Sequence, residues 1–460
     1  MRRAALIWLA LFAVYAATIG IHAAGHRAYG GDEPHYLLMA ESIVSDADID
    51  LRDEYRTRAY RHWYRGTLTP NGRLTDGRLQ EPQPVGVSLL IAPAYAVGGA
   101  RAAELELAAL MALAFVLAIA LARRLVPEPW ATAGPVVCAL SPPVLAYATT
   151  VYPETAAAAV LAGAALLALR SRERPRLRSA IAAGLLLALL PWLGVKYVVA
   201  GTVIALALSR WLVRRRRAFH ALVAVEAVVA SVVVWFTVNG QLYHGLTPYA
   251  AGLPGHPTAD SLHPGDVADR VPRLLALWID RQDGLLRWAP VFALSFFAVW
   301  LLWRSRRERV ARAVPERADV EIAAGLLAAV AGAQVLVATF AAPSLAGAWF
   351  PGRHLVAALP AAAALAAWGL RHARRVGALL CGLTLAASAW LYVALRVTGA
   401  SWAQPPQEIP WGPLDWLLPR YGSGSTWAAV VAGAVVAAIA AAVLREWRQT
   451  RRPAAGAAAR

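Results

Sequence analysis

The chain has 460 residues; 59% are hydrophobic, 16% are charged, and the formal net charge is +17. Apolar stretches of about 20 residues, the length a bilayer demands, recur along it. This excludes a soluble globular or a disordered protein and indicates an all-α polytopic membrane protein. In a soluble chain the basic excess would suggest nucleic acid; here it first has to be divided between two membrane faces.

In chain order the hydrophobic pattern predicts twelve spans, near 4–22, 102–122, 129–148, 154–170, 179–194, 197–213, 219–238, 288–303, 320–341, 354–369, 375–396 and 426–444. The first begins with Arg2 and Arg3, runs long and lacks a small-residue cleavage pattern, so it reads as a retained span rather than a signal peptide. The run 179–213 is too long for one crossing and has arginine clusters on both sides, so it must cross twice, with Pro191 supplying the break near Pro191–Lys196. With both termini cytoplasmic, inner segments hold 28 of the 45 basic residues and most acids fall outside. The charge is then a topology signal and an attraction to anionic lipid headgroups, and nucleic acid is not needed to explain it.

Three outer segments are long: 23–101, 239–287 and 397–425. Long loops in compact proteins are usually functional, which directs attention to the outer face. The chain divides into a module 1–240, containing loop 23–101, and a module 241–460 with outer loops 239–287, 342–353 and 397–425. In the first loop, Tyr36, Leu37, Ala40, Ile43, Val44 and Ala47 share one helical face, predicting an amphipathic helix on the membrane surface. Residues 85–97 are too short to span and contain Pro93, predicting a second interfacial helix.

The motifs that could carry chemistry follow the same order. Gly31-Asp32-Glu33-Pro34-His35-Tyr36 places two adjacent carboxylates just beyond the first span. They suit acid/base work or metal binding, or Asp32 or Glu33 simply caps a helix that has Pro34 in its first turn. Asp46-Ala47-Asp48-Ile49-Asp50 holds DxD twice, a metal-diphosphate motif of low specificity, and reads better as a solvated loop. Tyr152-Pro153-Glu154 opens the fourth span, where Glu154 either complements the helix dipole or faces the same cavity as Asp32. Lys196, the only lysine, sits at the tight outer turn as a phosphate ligand or a snorkelling anchor. Pro351-Gly352-Arg353-His354 opens the tenth span as a phosphate site or an interfacial anchor, with Trp349 and Phe350 suited to lipid or sugar contact or to the aromatic belt. Asp280, Arg281, Asp283 and Arg287 suit mutual pairing, and His256 and His263 are single loop histidines. The sequence contains no GxxxxGK[ST], HExxH or CxxC pattern.

Taken together, GDEPHYL after span one, Gln83-Pro84-Val85-Gly86 entering the second surface helix, the YPE turn, DRQDGLLRWAPVF and FPGRHLVAALP resemble GT-C membrane glycosyltransferases. The likeness is to the bacterial lipid-carrier-dependent enzymes related to protein O-mannosyltransferases and aminoarabinose transferases, of the family 39 type. It implies a GT-C fold with about twelve spans and two interfacial helices. It also implies an inverting transfer from a polyprenyl-phosphate-linked sugar to a glycan, lipid or protein acceptor at the outer face of the bacterial cytoplasmic membrane. By motif position Asp32 is then the base and Glu33 the second choice. Glu154, His35 and Tyr36 support the site or the acceptor, and Arg353, Lys196 and His354 bind the donor phosphate. No cofactor is required, and a divalent metal stays open. A flippase for lipid-linked glycans and a non-catalytic envelope assembly protein are the alternatives.

Overall fold

The computed structural model describes residues 2–253, 267–312, 318–345, 347–404, 418–421 and 426–451. Each of the twelve expected spans coincides with helix. They are α1 (Arg2–Ala16), α4 (Val85–Ala122), the short pair α5 (Trp130–Ala139) and α6 (Pro142–Tyr147), α7 (Pro153–Glu173), α8 (Leu177–Leu193), α9 (Val198–Arg214), α10 (Ala218–Tyr243), α14 (Ala293–Arg312), α15 (Ala318–Phe340), α16 (Leu359–His372), α17 (Arg374–Thr398) and α18 (Thr426–Arg451). Among the described residues, eight helical segments are long and apolar enough to cross a membrane by themselves.

Small residues decide which helices lie inside. Helices α7 and α16 are alanine-rich and almost wholly enclosed, whereas α10 and α18 leave most of their surface uncovered by protein. Close approach is built in: a Cβ at Gly134 of α5 would lie 2.7 Å from Ala367 Cα of α16, and one at Gly184 of α8 would lie 2.9 Å from Ala224 Cα of α10. Apolar side chains gain little by leaving lipid, so such small-residue contacts are what draw spans together.

The reversal in the run 179–213 occurs at Gly194, not Pro191. Pro191 is accommodated within the last turn of α8, while Gly194 takes φ +150° and hands the chain to a 3₁₀ turn, Val195–Tyr197. Only glycine enters that backbone region freely.

The first long loop is a folded cap. It contains α2 (Glu33–Ser45), α3 (Arg52–Thr57) and a hairpin of β1 (Arg73–Thr75) with β2 (Arg78–Gln80), paired Arg73 to Gln80. Helix α2 lacks the open polar face expected along its first turns: Glu33, His35 and Ser42 are buried with its apolar residues because loop 51–81 and α4 enclose it. The expected second interfacial helix is the first part of α4. It joins the span through non-helical Gly98 and Gly99, and Pro93 stays within the helix. The hairpin also reaches the second long loop, where Arg73 Nη2 donates to Ala250 O at 2.6 Å and Gly72 bridges to Gly252. The short helices α11 (Val267–Arg270), α12 (Arg273–Ile279) and α13 (Leu285–Trp288) complete that loop region.

Candidate functional site: a buried charge network

Four charged side chains, delivered by four separate segments, meet where the cap rests on the starts of α7 and α16. Glu154 Oε1 accepts from Lys196 Nζ at 2.6 Å and from Arg353 Nε at 2.9 Å. Arg353 Nη2 donates to Asp32 Oδ2 at 3.0 Å. Glu154 is 1% exposed and Arg353 6%, while the Asp32 side chain keeps 32% of its surface open. The guanidinium lies between two rings, 3.9 Å from the Tyr152 centroid and 4.7 Å from that of Trp349, which fixes its plane. Trp349 thus lines the site, whereas Phe350 is core, packed on Trp288 and Trp402.

Asp32 occupies the cap position of α2, yet its side chain makes no cap hydrogen bond and turns to Arg353 instead. Burial pushes its pKa up, but Arg353, with smaller help from His35 and Lys196, more than offsets this and holds it below the ordinary carboxylate value. Gly31 takes φ +57°, and a Cβ there would meet Tyr152 Oη at 2.5 Å. The approach of the aspartate to the α7 start therefore depends on glycine.

Glu33 does something different. Its oxygens accept the backbone N–H groups of Gly30 at 2.9 Å and Val151 at 2.8 Å. Burial raises its pKa to about 8. It ties the loop entrance to the segment before α7 through both of its oxygens.

His35 faces into the cap. Nδ1 donates to Glu81 Oε2 at 2.9 Å, and Nε2 lies 3.0 Å from Asn71 Nδ2. Tyr55 Oη and the Asn71 N–H also donate to Glu81 Oε1, at 2.6 and 3.0 Å. Burial alone would lower the His35 pKa, and the Glu81 carboxylate outweighs it and raises it. Both ring nitrogens being occupied, His35 braces the cap and influences Asp32 through charge. Tyr36 is buried within electrostatic reach of Asp32, Arg353 and Glu154. His354 does not join the ion pairs: Nε2 contacts Ser344 O at 2.9 Å, and its backbone carbonyl accepts from Gln334.

The remaining motifs lie elsewhere. Asp48 Oδ1 accepts from Ser42 Oγ and the Asp50 N–H, both at 3.0 Å, while Asp50 Oδ1 accepts from the Leu79 N–H at 2.8 Å, so the second and third carboxylates of the DxD run shape a turn. Asp280 caps the backbone of Gln282 and Asp283 and accepts from the Tyr421 N–H, and Arg287 donates to the Arg281 carbonyl. His256 and His263 fall outside the described residues.

Sequence reasoning passed over Glu81, Asn71 and Tyr55. Glu81 precedes the Pro82-Gln83-Pro84 entry to α4, and that proximity was the available signal. Two atoms at the network are buried without a hydrogen-bond partner: Glu154 Oε2 and Tyr197 Oη, whose residues lie within electrostatic reach of each other.

No protein-family model matches the chain, and no curated protein matches it. Two solved structures do. ArnT from Cupriavidus metallidurans in the apo state aligns over 86% of this chain and 70% of that one, with 16% identity and a TM-score of 0.52. ArnT from the same organism bound to undecaprenyl phosphate aligns over 96% and 72%, again with 16% identity, and a TM-score of 0.50. The chain therefore shares the overall fold of these ArnT structures, and its long apolar helices make it a multi-pass membrane protein.

Proposed function

We propose that this chain is an inverting glycosyltransferase that moves a sugar from a polyprenyl-phosphate donor to an acceptor hydroxyl at the outer face of the cytoplasmic membrane. The observation that carries the reading is the convergence of Asp32, Glu154, Lys196 and Arg353 in one network that opens to solvent at Asp32 and Lys196. A carboxylate with open surface stands beside a pair of cations, the combination that acid/base chemistry next to a leaving phosphate requires. One of the two similar ArnT structures is bound to undecaprenyl phosphate, which supports assigning a lipid phosphate to the cations.

Asp32 takes the acceptor hydroxyl proton, the acceptor oxygen bonds C1 of the sugar, and the bond from C1 to the phosphate oxygen breaks. The departing phosphate gains charge as the new bond forms, and Arg353 and Lys196 neutralise it. The shared guanidinium couples these events. Arg353 is the main charge that holds the Asp32 pKa down. As the guanidinium shares its charge with the phosphate, the carboxylate becomes a stronger base at the moment the acceptor proton has to leave. Glu154 keeps both cations in place before the donor arrives.

The outer-face assignment draws support from α7, which begins beside the network and ends, about 30 Å along its axis, in the basic segment around Arg170 and Arg172. There Arg172 pairs with Asp319 and Arg124 with Glu173. Clusters of arginine favour the cytoplasmic side.

The test is an assay of purified protein with labelled polyprenyl-phosphate sugars, guided by envelope glycan analysis of a deletion strain. A glycosidic product that is lost in Asp32→Asn supports the reading. Movement of labelled lipid across vesicles without any new glycosidic bond overturns it in favour of a flippase.

A further inference from the structure

The acidic segment between α2 and α3 carries a feature that the charge network does not use. Asp46, Asp53 and Glu54 each offer one carboxylate oxygen, and these oxygens all lie within 4.8 Å of one another. Three carboxylates this close repel one another unless a proton or a cation stands among them. Glu54 adds the decisive observation: it is 3% exposed, and both of its carboxylate oxygens are buried without a hydrogen-bond partner. A carboxylate withdrawn from water in this way calls for a partner. The neighbouring acids are already committed, Asp48 to Ser42 and the Asp50 N–H, and Asp50 to Arg52 and the Leu79 N–H.

We propose that Asp46, Asp53 and Glu54 form a divalent-cation site of the Ca²⁺ class that fastens the end of α2 to α3. An all-oxygen carboxylate set suits a hard cation, and the absence of nitrogen or sulfur donors among the three disfavours zinc. The spacing leaves room for metal–oxygen distances of about 2.3–2.6 Å, and exposed Asp46 leaves one side open for water to complete six to eight ligands, roughly the Ca²⁺ coordination number. Asp46 is also the C-cap of α2, whose dipole presents its negative end there. The same helix starts at Asp32, about 20 Å away along its axis. A cation at Asp46 therefore anchors the far end of the helix that carries the proposed base. The site stands independently of the glycosyltransferase reading.

The test uses the full chain in lipid nanodiscs, stripped with a chelator and titrated with ⁴⁵Ca²⁺, with thermal unfolding followed in parallel. Wild type is expected to bind one saturable Ca²⁺ that raises the unfolding midpoint, with Mg²⁺ less effective. Glu54→Gln should lose that ion, and Asp46→Asn should bind it about tenfold or more weakly. Absence of a saturable site in wild type up to millimolar Ca²⁺, or equal binding by Glu54→Gln, overturns the proposal. If Glu54→Gln fails to fold, the surface variants Asp46→Asn and Asp53→Asn decide: unchanged affinity in both overturns it, and weakened affinity in both upholds it.

Discussion

Arg353 and Asp32 are 321 residues apart in sequence and meet through a single hydrogen bond of 3.0 Å. One contributes a fixed charge from the entrance of a core helix and the other a partly open carboxylate from the cap, so the site is complete only when the two parts of the chain are assembled. The consequences can be measured residue by residue.

Asp32→Asn keeps the shape of the side chain and removes its capacity to accept a proton. Sugar transfer should fall by about 10²–10⁴-fold, the usual contribution of a general base. Because Asp32 is partly open and makes no helix-cap bond, size-exclusion behaviour and unfolding midpoint should stay near wild type. Normal turnover by this variant would remove Asp32 from the role.

Arg353→Lys retains a positive charge but cannot reach Asp32 and Glu154 together from between two rings. The loss of a charge-assisted hydrogen bond, about 1.5–3 kcal/mol, corresponds to roughly tenfold or more in kcat/KM. The change should appear mainly as a higher KM for the polyprenyl-phosphate donor. Donor kinetics indistinguishable from wild type would count against phosphate binding at this position.

Glu154 and Lys196 should be energetically coupled. Glu154→Gln keeps an acceptor oxygen but removes the negative charge that Lys196 and Arg353 share, and losing one charge of a buried pair costs about 3–5 kcal/mol. Adding Lys196→Met should restore part of the stability, giving a coupling of about 1 kcal/mol or more in a double-mutant cycle. Strict additivity of the two unfolding free energies would show that the 2.6 Å contact is energetically idle.

Glu33 provides the pH test. Its pKa rises from 4.5 to about 8 on folding, so between those values the folded chain holds the proton more tightly than the unfolded one. Its contribution to stability is fully present below pH 4.5 and is lost as pH rises through about 8. Glu33→Gln should therefore flatten the decline in unfolding midpoint between pH 5 and 8, while keeping far more activity than Asp32→Asn. Identical pH profiles for wild type and Glu33→Gln would contradict the assignment.

Gly194→Ala forces an L side chain into φ +150°, at a cost of about 1–3 kcal/mol. Lys196 follows two residues later, so the variant should lose donor affinity along with stability. A wild-type midpoint and wild-type donor KM would show that the turn relaxes without cost.

The spans were legible because each is a long apolar run bounded by charge, a signal independent of tertiary contacts. The four charged residues were legible as well, each standing just outside such a run. What failed was whatever depends on direction. Asp32 and Glu33 are neighbours of the same chemistry, and only the meeting of Glu33 with the backbone at Gly30 and Val151 separates their roles. His35 was legible as a support of the site or the acceptor, but its partner Glu81 was not, because it comes 46 residues later across a hairpin whose strands are three residues long. Pro191 was the stronger local signal for the reversal, but a proline near the end of a helix is tolerated and a glycine in a rare backbone region is what turns the chain.

The unpartnered Oε2 of Glu154 gives the charge network a sense of direction. Its sister oxygen already serves two cations, so this atom offers electron pairs and no hydrogen. Under the proposed reaction a phosphate, which brings only lone pairs, would be repelled from that corner, whereas a hydroxyl that reached it would be accepted. A donor carrying both groups would then be sorted end from end, its lipid phosphate on the exposed side of the cations and its carbohydrate turned inward.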